Sequence, residues 1–139
     1  MRDGDLHPQV VTMATPSFRI LMIEDHAISR RVMCYVLGLR GHVCEAAESG
    51  RTALAAIDRF EPDVAILEWS LRDGSGRGLA QELRARSVAR GRPLAIVAVS
   101  TSDEPDGFRG REGIDAYFTK PAIIEEIEAM CRVLLSRRR

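Results

Sequence analysis

Residues Ala65–Gly76 read AILEWSLRDGSG, an apolar run that stops on a carboxylate, Glu68, and passes straight into a loop of Gly, Asp and Ser. Together with Val64 before it, the run Val64–Leu67 reads as a strand buried on both faces, the pattern of a parallel sheet covered by helices on each side. Comparable runs lie at Ile20–Ile23 and Leu94–Val99, and shorter candidates at Val43–Ala46 and Ala116–Phe118. Between them the spacing turns helical. Ile28, Val32, Tyr35, Val36 and Leu39 mark one helix; Ala53, Leu54, Ile57 and Phe60 mark the next, with Ser49 as its N-cap and Pro62 at its end. A third helix carries Leu79 and Leu83 and stops near Gly91 and Pro93. The last runs Ile123–Leu135 and presents Ile123, Ile127, Met130 and Leu134. This alternation of strand and helix predicts a doubly wound α/β sandwich with right-handed crossovers.

The chain has 139 residues, 45% of them hydrophobic, enough for one domain with a real core. Its formal net charge is zero and its arginines are scattered, so no basic face argues for nucleic acid. Cys34, Cys44 and Cys131 sit in apolar segments without metal-ligand spacing, which reads as reduced core thiols in a cytoplasmic protein. No run approaches the roughly 20 apolar residues of a membrane span. Residues 1–17, with early acids and Pro8, read as a flexible leader; 18–136 form the domain, and Arg137–Arg139 a solvated basic tail.

In such a sheet, ligands bind beyond the carboxyl ends of the strands. The first strand ends in Glu24-Asp25, the third in Glu68, the fourth in Ser100-Thr101 and the fifth in Thr119-Lys120-Pro121. Two like charges about 4 Å apart repel by roughly 4 kcal/mol at an effective dielectric near 20, so the acids need a cation, either a hard metal or Lys120. Of the 20 Lys and Arg residues Lys120 is the one lysine, a point charge on a thin stem where Arg would bring a wide fork. His26, beside the acids, reads as a surface residue at the start of a helix, and Trp69 as a rim residue shading the pocket.

Ile23-Glu24-Asp25, the block Pro62–Trp69, Ser100, and Tyr117-Phe118-Thr119-Lys120-Pro121 together resemble the receiver domain of bacterial two-component response regulators, over Phe18 to about Ser136. The resemblance implies a flavodoxin-like (βα)5 fold with a five-stranded parallel sheet in the order 2-1-3-4-5. It also implies that an Asp ending the third strand accepts a phosphoryl group from a histidine kinase. Asp25 is then the direct Mg²⁺ ligand, Glu24 its partner through water, and the backbone carbonyl of Ser70 a further oxygen. Glu68 stands at the phosphoacceptor position and within reach of the metal. Lys120 contacts a phosphoryl oxygen, Ser100 is the switch hydroxyl and Tyr117 the aromatic switch. The partner is a histidine kinase, a phosphotransfer protein or a downstream effector, with no nucleic acid and no membrane. A homodimer through the region after the fourth strand and the fifth helix is a further expectation.

The departure from that family lies at Glu68. An extra methylene displaces the carboxylate by more than an ångström, and about 1 Å of misplacement of a reacting atom costs on the order of a hundredfold. Phosphorylation is therefore expected to be lost or poor, and Mg²⁺ binding is open. Arg72 stands where the family usually has Pro, and Ser102–Gly113 carries Pro105, Gly107 and Gly110, predicting a short, irregular fourth helix. The function expected is that of a stand-alone atypical receiver acting by protein binding rather than catalysis. Either Glu68 imitates the phosphorylated state, or a Glu68–Lys120 ion pair replaces the metal. The alternative is a Mg²⁺-dependent phosphatase of haloacid-dehalogenase type. That chemistry wants an Asp nucleophile in a DxD pattern, where this chain has Glu68-Trp69-Ser70. A flavin mononucleotide carrier would need a phosphate loop where the acidic Glu24-Asp25-His26 stands.

Overall fold

Side chains alternate along β1 (Arg19–Ile23), and this alternation sets the layers: Leu21 and Ile23 enter one core cluster, Ile20 and Met22 the other. A computed structural model describes residues 17–73, 76–101 and 113–137. β1 is followed by α1 (Ala27–Leu39), β2 (Val43–Ala47), α2 (Gly50–Phe60), β3 (Val64–Glu68), α3 (Gly76–Arg90), β4 (Ala95–Ser100), β5 (Ala116–Thr119) and α4 (Ile124–Arg137). The five strands are parallel in the order β2-β1-β3-β4-β5, as the resemblance implied. Every residue of β3 and β4 is buried, which is why both read as unbroken apolar runs.

One core layer joins Leu21, Ile23, Leu67 and Ile96 to Ala53, Ile57 and Phe60 of α2 and to Leu79 and Leu83 of α3. The other joins Ile20, Met22, Ile66 and Val97 to Leu37 of α1 and to Ile127, Cys131, Leu134 and Leu135 of α4. Helix α2 begins as its sequence predicts, with Ser49 accepting from the Thr52 N–H and Thr52 reaching back in a capping box, and it stops before Pro62 with Glu61 in the left-handed region at φ 54°. Gly113, at φ +85°, passes so close to α3 that a Cβ there would lie 2.8 Å from the Ala80 carbonyl oxygen.

Helix α1 forms where its spacing predicts, but the residues that mark it do not face the core: Ile28, Val32, Tyr35 and Leu39 are 68%, 52%, 68% and 69% exposed. Leu37 is the buried residue of α1, with Met33 and Cys34 packed partly against the same layer. Met33 follows Val32 by one residue, about 100° around the helix, and α1 turns that neighbouring row toward the sheet. Helix α4 buries Ile127 and Leu134, whereas Met130, and Ile123 just before the helix, face out. Cys34 and Cys44 are only half-buried, so of the three thiols Cys131 alone lies in the core.

A charge is also buried in α4. Glu128 accepts from Arg40 Nε at 2.8 Å and Nη2 at 2.6 Å, and lies 2.6 Å from His42 Nε2. His42 Nδ1 accepts from the Phe18 N–H, so Nε2 carries the proton and donates to Glu128. The Arg40 fork holds the Glu128 carboxyl at about 2, against the opposing effect of burial and with help from His42. The irregular fourth helix expected after β4 lies outside the described residues, as does the leader up to residue 16. Among the described residues no helix is long and apolar enough to cross a membrane.

Candidate functional site

Parallel pairing brings the strand ends to one edge. Ile23 lies beside Leu67, Glu68 beside Val99, and Ser100 beside Thr119, so Glu24, Glu68, Ser100 and Lys120 leave the sheet together. The chain is held there by backbone bonds: Glu24 N–H to the Ala47 carbonyl, Trp69 N–H to Val99 and Lys120 N–H to Ser100. The Lys120–Pro121 peptide that follows is cis.

The centre of the site is a bridge. Lys120 Nζ lies 2.6 Å from Glu68 Oε1 and 3.0 Å from Glu24 Oε1. The second oxygen of each acid is also engaged, Glu68 Oε2 accepting from the Ser70 N–H at 2.9 Å and Glu24 Oε2 from the His26 N–H at 3.0 Å. Glu24 and Glu68 are 3% and 6% exposed, and burial of this kind is tolerated because each charge is paired and hydrogen-bonded. Burial disfavours the Lys120 ammonium, but its hydrogen bonds to Glu68 and then Glu24 prevail and raise its pKa above the usual lysine value.

Asp25 stands apart from the bridge. Its Oδ2 accepts from the Arg72 N–H at 2.6 Å, tying the β1–α1 turn to the loop after β3. Ser70 and Ser100 meet through their hydroxyls at 3.1 Å, and Ser100 is fully buried. Tyr117 packs with Trp69 against the layer that holds α2 and α3. His26 is the N-cap of α1, its Nδ1 accepting from Ser29 N–H. Gly76 opens α3 where a Cβ would run into the carbonyl of Trp69.

Beside the bridge opens a groove of about 550 Å³, floored by Met22, Ile66 and Val99 and walled by Ile28 and Val32 of α1 and by Pro121. Sequence reasoning placed the bridge residues but missed three features. The α1 row was read only as the mark of a helix, although its spacing of four, three and four residues is also that of a helix–helix seam. Arg72 acts through its backbone, and Arg30 Nη1 bonds the Glu24 carbonyl at 2.8 Å; neither left a signal in residue type.

A doubly wound five-stranded sheet with acids, a hydroxyl and a lysine at its carboxyl edge defines a receiver-type signalling domain. The pattern of the response regulator receiver domain matches residues 20–132, and the chain belongs to that family. The phosphate regulon transcriptional regulatory protein PhoB of Escherichia coli is 33% identical over 120 residues, 86% of this chain and 52% of PhoB. The chain thus spans about half the length of the curated relatives it matches. A CheY-like receiver domain protein from Methanospirillum hungatei superposes with a TM-score of 0.76 at 20% identity, over 88% of this chain and 97% of that one. The response regulator TrrA of Thermotoga maritima, solved with Mg²⁺ and BeF, superposes with a TM-score of 0.71 at 22% identity, over 84% of this chain and 97% of TrrA.

The residues of this chain do not fit a Mg²⁺ ion in the arrangement they adopt. Mg²⁺ asks for oxygens in near-octahedral order about 2.0–2.1 Å away. Here the two glutamates face each other across an ammonium, and Asp25 is turned to Arg72. Among the described residues no group of three or more His, Cys, Asp or Glu is arranged to hold a metal ion.

Proposed function

We propose that this domain is an atypical receiver that works by binding another protein, its phosphoacceptor position filled by Glu68 and its cation supplied by Lys120. The observation that carries this reading is the position of Lys120 Nζ between Glu68 Oε1 and Glu24 Oε1. In a receiver, positioning and neutralisation of negative charge do the chemistry of phosphoryl transfer. In this chain an internal ammonium is paired with both buried acids, one positive charge shared between two negative ones. Glu68 stands where an Asp would be phosphorylated, Ser100 and Tyr117 take the switch positions, and Asp25 and Ser70 belong to a metal set that the bridge replaces. The site is thereby kept in one setting by sequence, and partner binding is governed by something other than phosphorylation.

The partner face best supported is α1 with its groove. Ile28, Val32, Tyr35 and Leu39 form an exposed apolar row at helix-packing spacing, which suits a helix of a partner such as a histidine kinase or phosphotransfer protein.

Mg²⁺ titration of the protein, followed by the fluorescence of Trp69, the single tryptophan, tests the central claim. No saturable change is expected in the wild type at millimolar Mg²⁺. Saturable quenching that Asp25→Asn removes would overturn the reading, because it would place a working metal beside the bridge.

A further inference from the structure

We propose that Cys34 and Cys44 are a site of reversible oxidation, closed into an intramolecular disulfide by hydrogen peroxide. Their sulfurs lie 2.7 Å apart, nearer than unbonded sulfurs pack and within reach of the roughly 2.05 Å of an S–S bond. Cys34 belongs to α1 and Cys44 to β2, ten positions later. β2 is an edge strand of the sheet, and both residues are only half-buried, so a small oxidant can reach them.

The two thiols are not equivalent. The hydrogen bond with Cys44 draws the Cys34 thiol below its usual pKa, against the effect of burial, and the nearby Arg30 charge adds to it. Cys44 is pushed up by the same hydrogen bond and by burial, so it holds the proton. Either thiol can lead to the same disulfide, and with the Arg30 charge beside it Cys34 is favoured as the nucleophile and Cys44 as the resolving partner. The Cys34 thiolate gives its electron pair to one oxygen of peroxide; the O–O bond breaks, leaving a sulfenic acid at Cys34 and hydroxide, which takes up the proton Cys34 lost. The Cys44 sulfur then attacks that sulfenic sulfur. The S–S bond forms, the S–O bond breaks, and the departing hydroxyl leaves as water with the Cys44 proton. In total two thiols are oxidised and one peroxide is reduced to two waters. Cys131 takes no part, since burial in α4 is the main cause that pushes its thiol up to about 12.

The bond would fasten α1 to the sheet edge, and α1 carries the exposed apolar row. That consequence rests on the partner reading above, whereas bond formation does not.

The test is hydrogen peroxide treatment of the native full chain, followed by intact mass measurement without reductant, alkylation of remaining thiols, and tryptic mapping. Trypsin cuts after Arg40, so Cys34 and Cys44 fall on separate peptides, 32–40 and 41–51. Expected is a monomer lighter by two hydrogens, alkylatable thiols falling from three to one with Cys131 the survivor, and a joined 32–40/41–51 pair that dithiothreitol separates. Cys131→Ser should leave the link intact, and Cys44→Ser should abolish it. The proposal is overturned if both cysteines stay alkylatable, if Cys34 goes to sulfinic or sulfonic acid unlinked, or if the link joins two chains or involves Cys131.

Discussion

Lys120 holds its charge between two acids that each already accept a backbone N–H, so the bridge has a defined pH window. Its folded pKa is raised, so its contribution is complete below the unfolded lysine value of about 10.4 and is lost as pH rises through the folded one. Glu68→Gln should lower stability to urea at neutral pH by about 1 kcal/mol, because relief of the Glu24–Glu68 repulsion offsets part of the lost pairing. In the alkaline range above that pKa the order should reverse, since two buried carboxylates then face a neutral amine. Equal stability at neutral pH would mean that the bridge contributes nothing. Glu128 has the opposite sign. Its folded value of about 2 lies below the unfolded one, so its contribution is present above about pH 4.5 and is lost as pH falls toward 2. Acid titration of stability should show the wild type losing about 2–3 kcal/mol more than Glu128→Gln across that window.

Among the elements, α1 separates packing from presentation. Leu37→Ala removes a fully buried side chain and should cost about 2–5 kcal/mol. Val32→Ala removes one that is half exposed and should stay within about 0.5 kcal/mol in the same denaturation measurement. A large loss from Val32→Ala would return the row to the core. Periodicity in the sequence located this helix but not its rotation, because an apolar row at helical spacing looks the same whether the sheet or another molecule covers it. For α2 the ambiguity vanished, since Ser49, Pro62 and one apolar face agreed. Where α3 meets the segment before β5, Gly113→Ala should destabilise by about 1–3 kcal/mol, as the new methyl meets both a left-handed backbone and the Ala80 carbonyl.

At the scale of the whole molecule, the fold and the bridge were legible for one reason. Buried parallel strands are continuous apolar runs, and reading what each run ends with names the residues at one sheet edge. Beyond the rotation of α1, the unread part includes pairings across the chain whose partners carry no local signature: Arg40 with Glu128, 88 positions apart, Asp25 with the Arg72 backbone, and Cys34 with Cys44. The gathered edge also predicts what a shorter acid would do. Glu68→Asp draws the acid back from Lys120 and opens the bridge, so with Mg²⁺ and a small phosphodonor it should gain a phosphoryl-sized mass that the wild type does not. Wild type that gains the same mass would remove the reason for calling the domain atypical.

The lone lysine has a practical consequence. Protein grown with ¹⁵N-labelled lysine carries the isotope on a single side chain, the one inside the bridge. The state of the pocket is then written in one side-chain resonance, free of overlap and of any need for assignment. Any ligand, variant or oxidation that disturbs the site of the purified protein can be followed there.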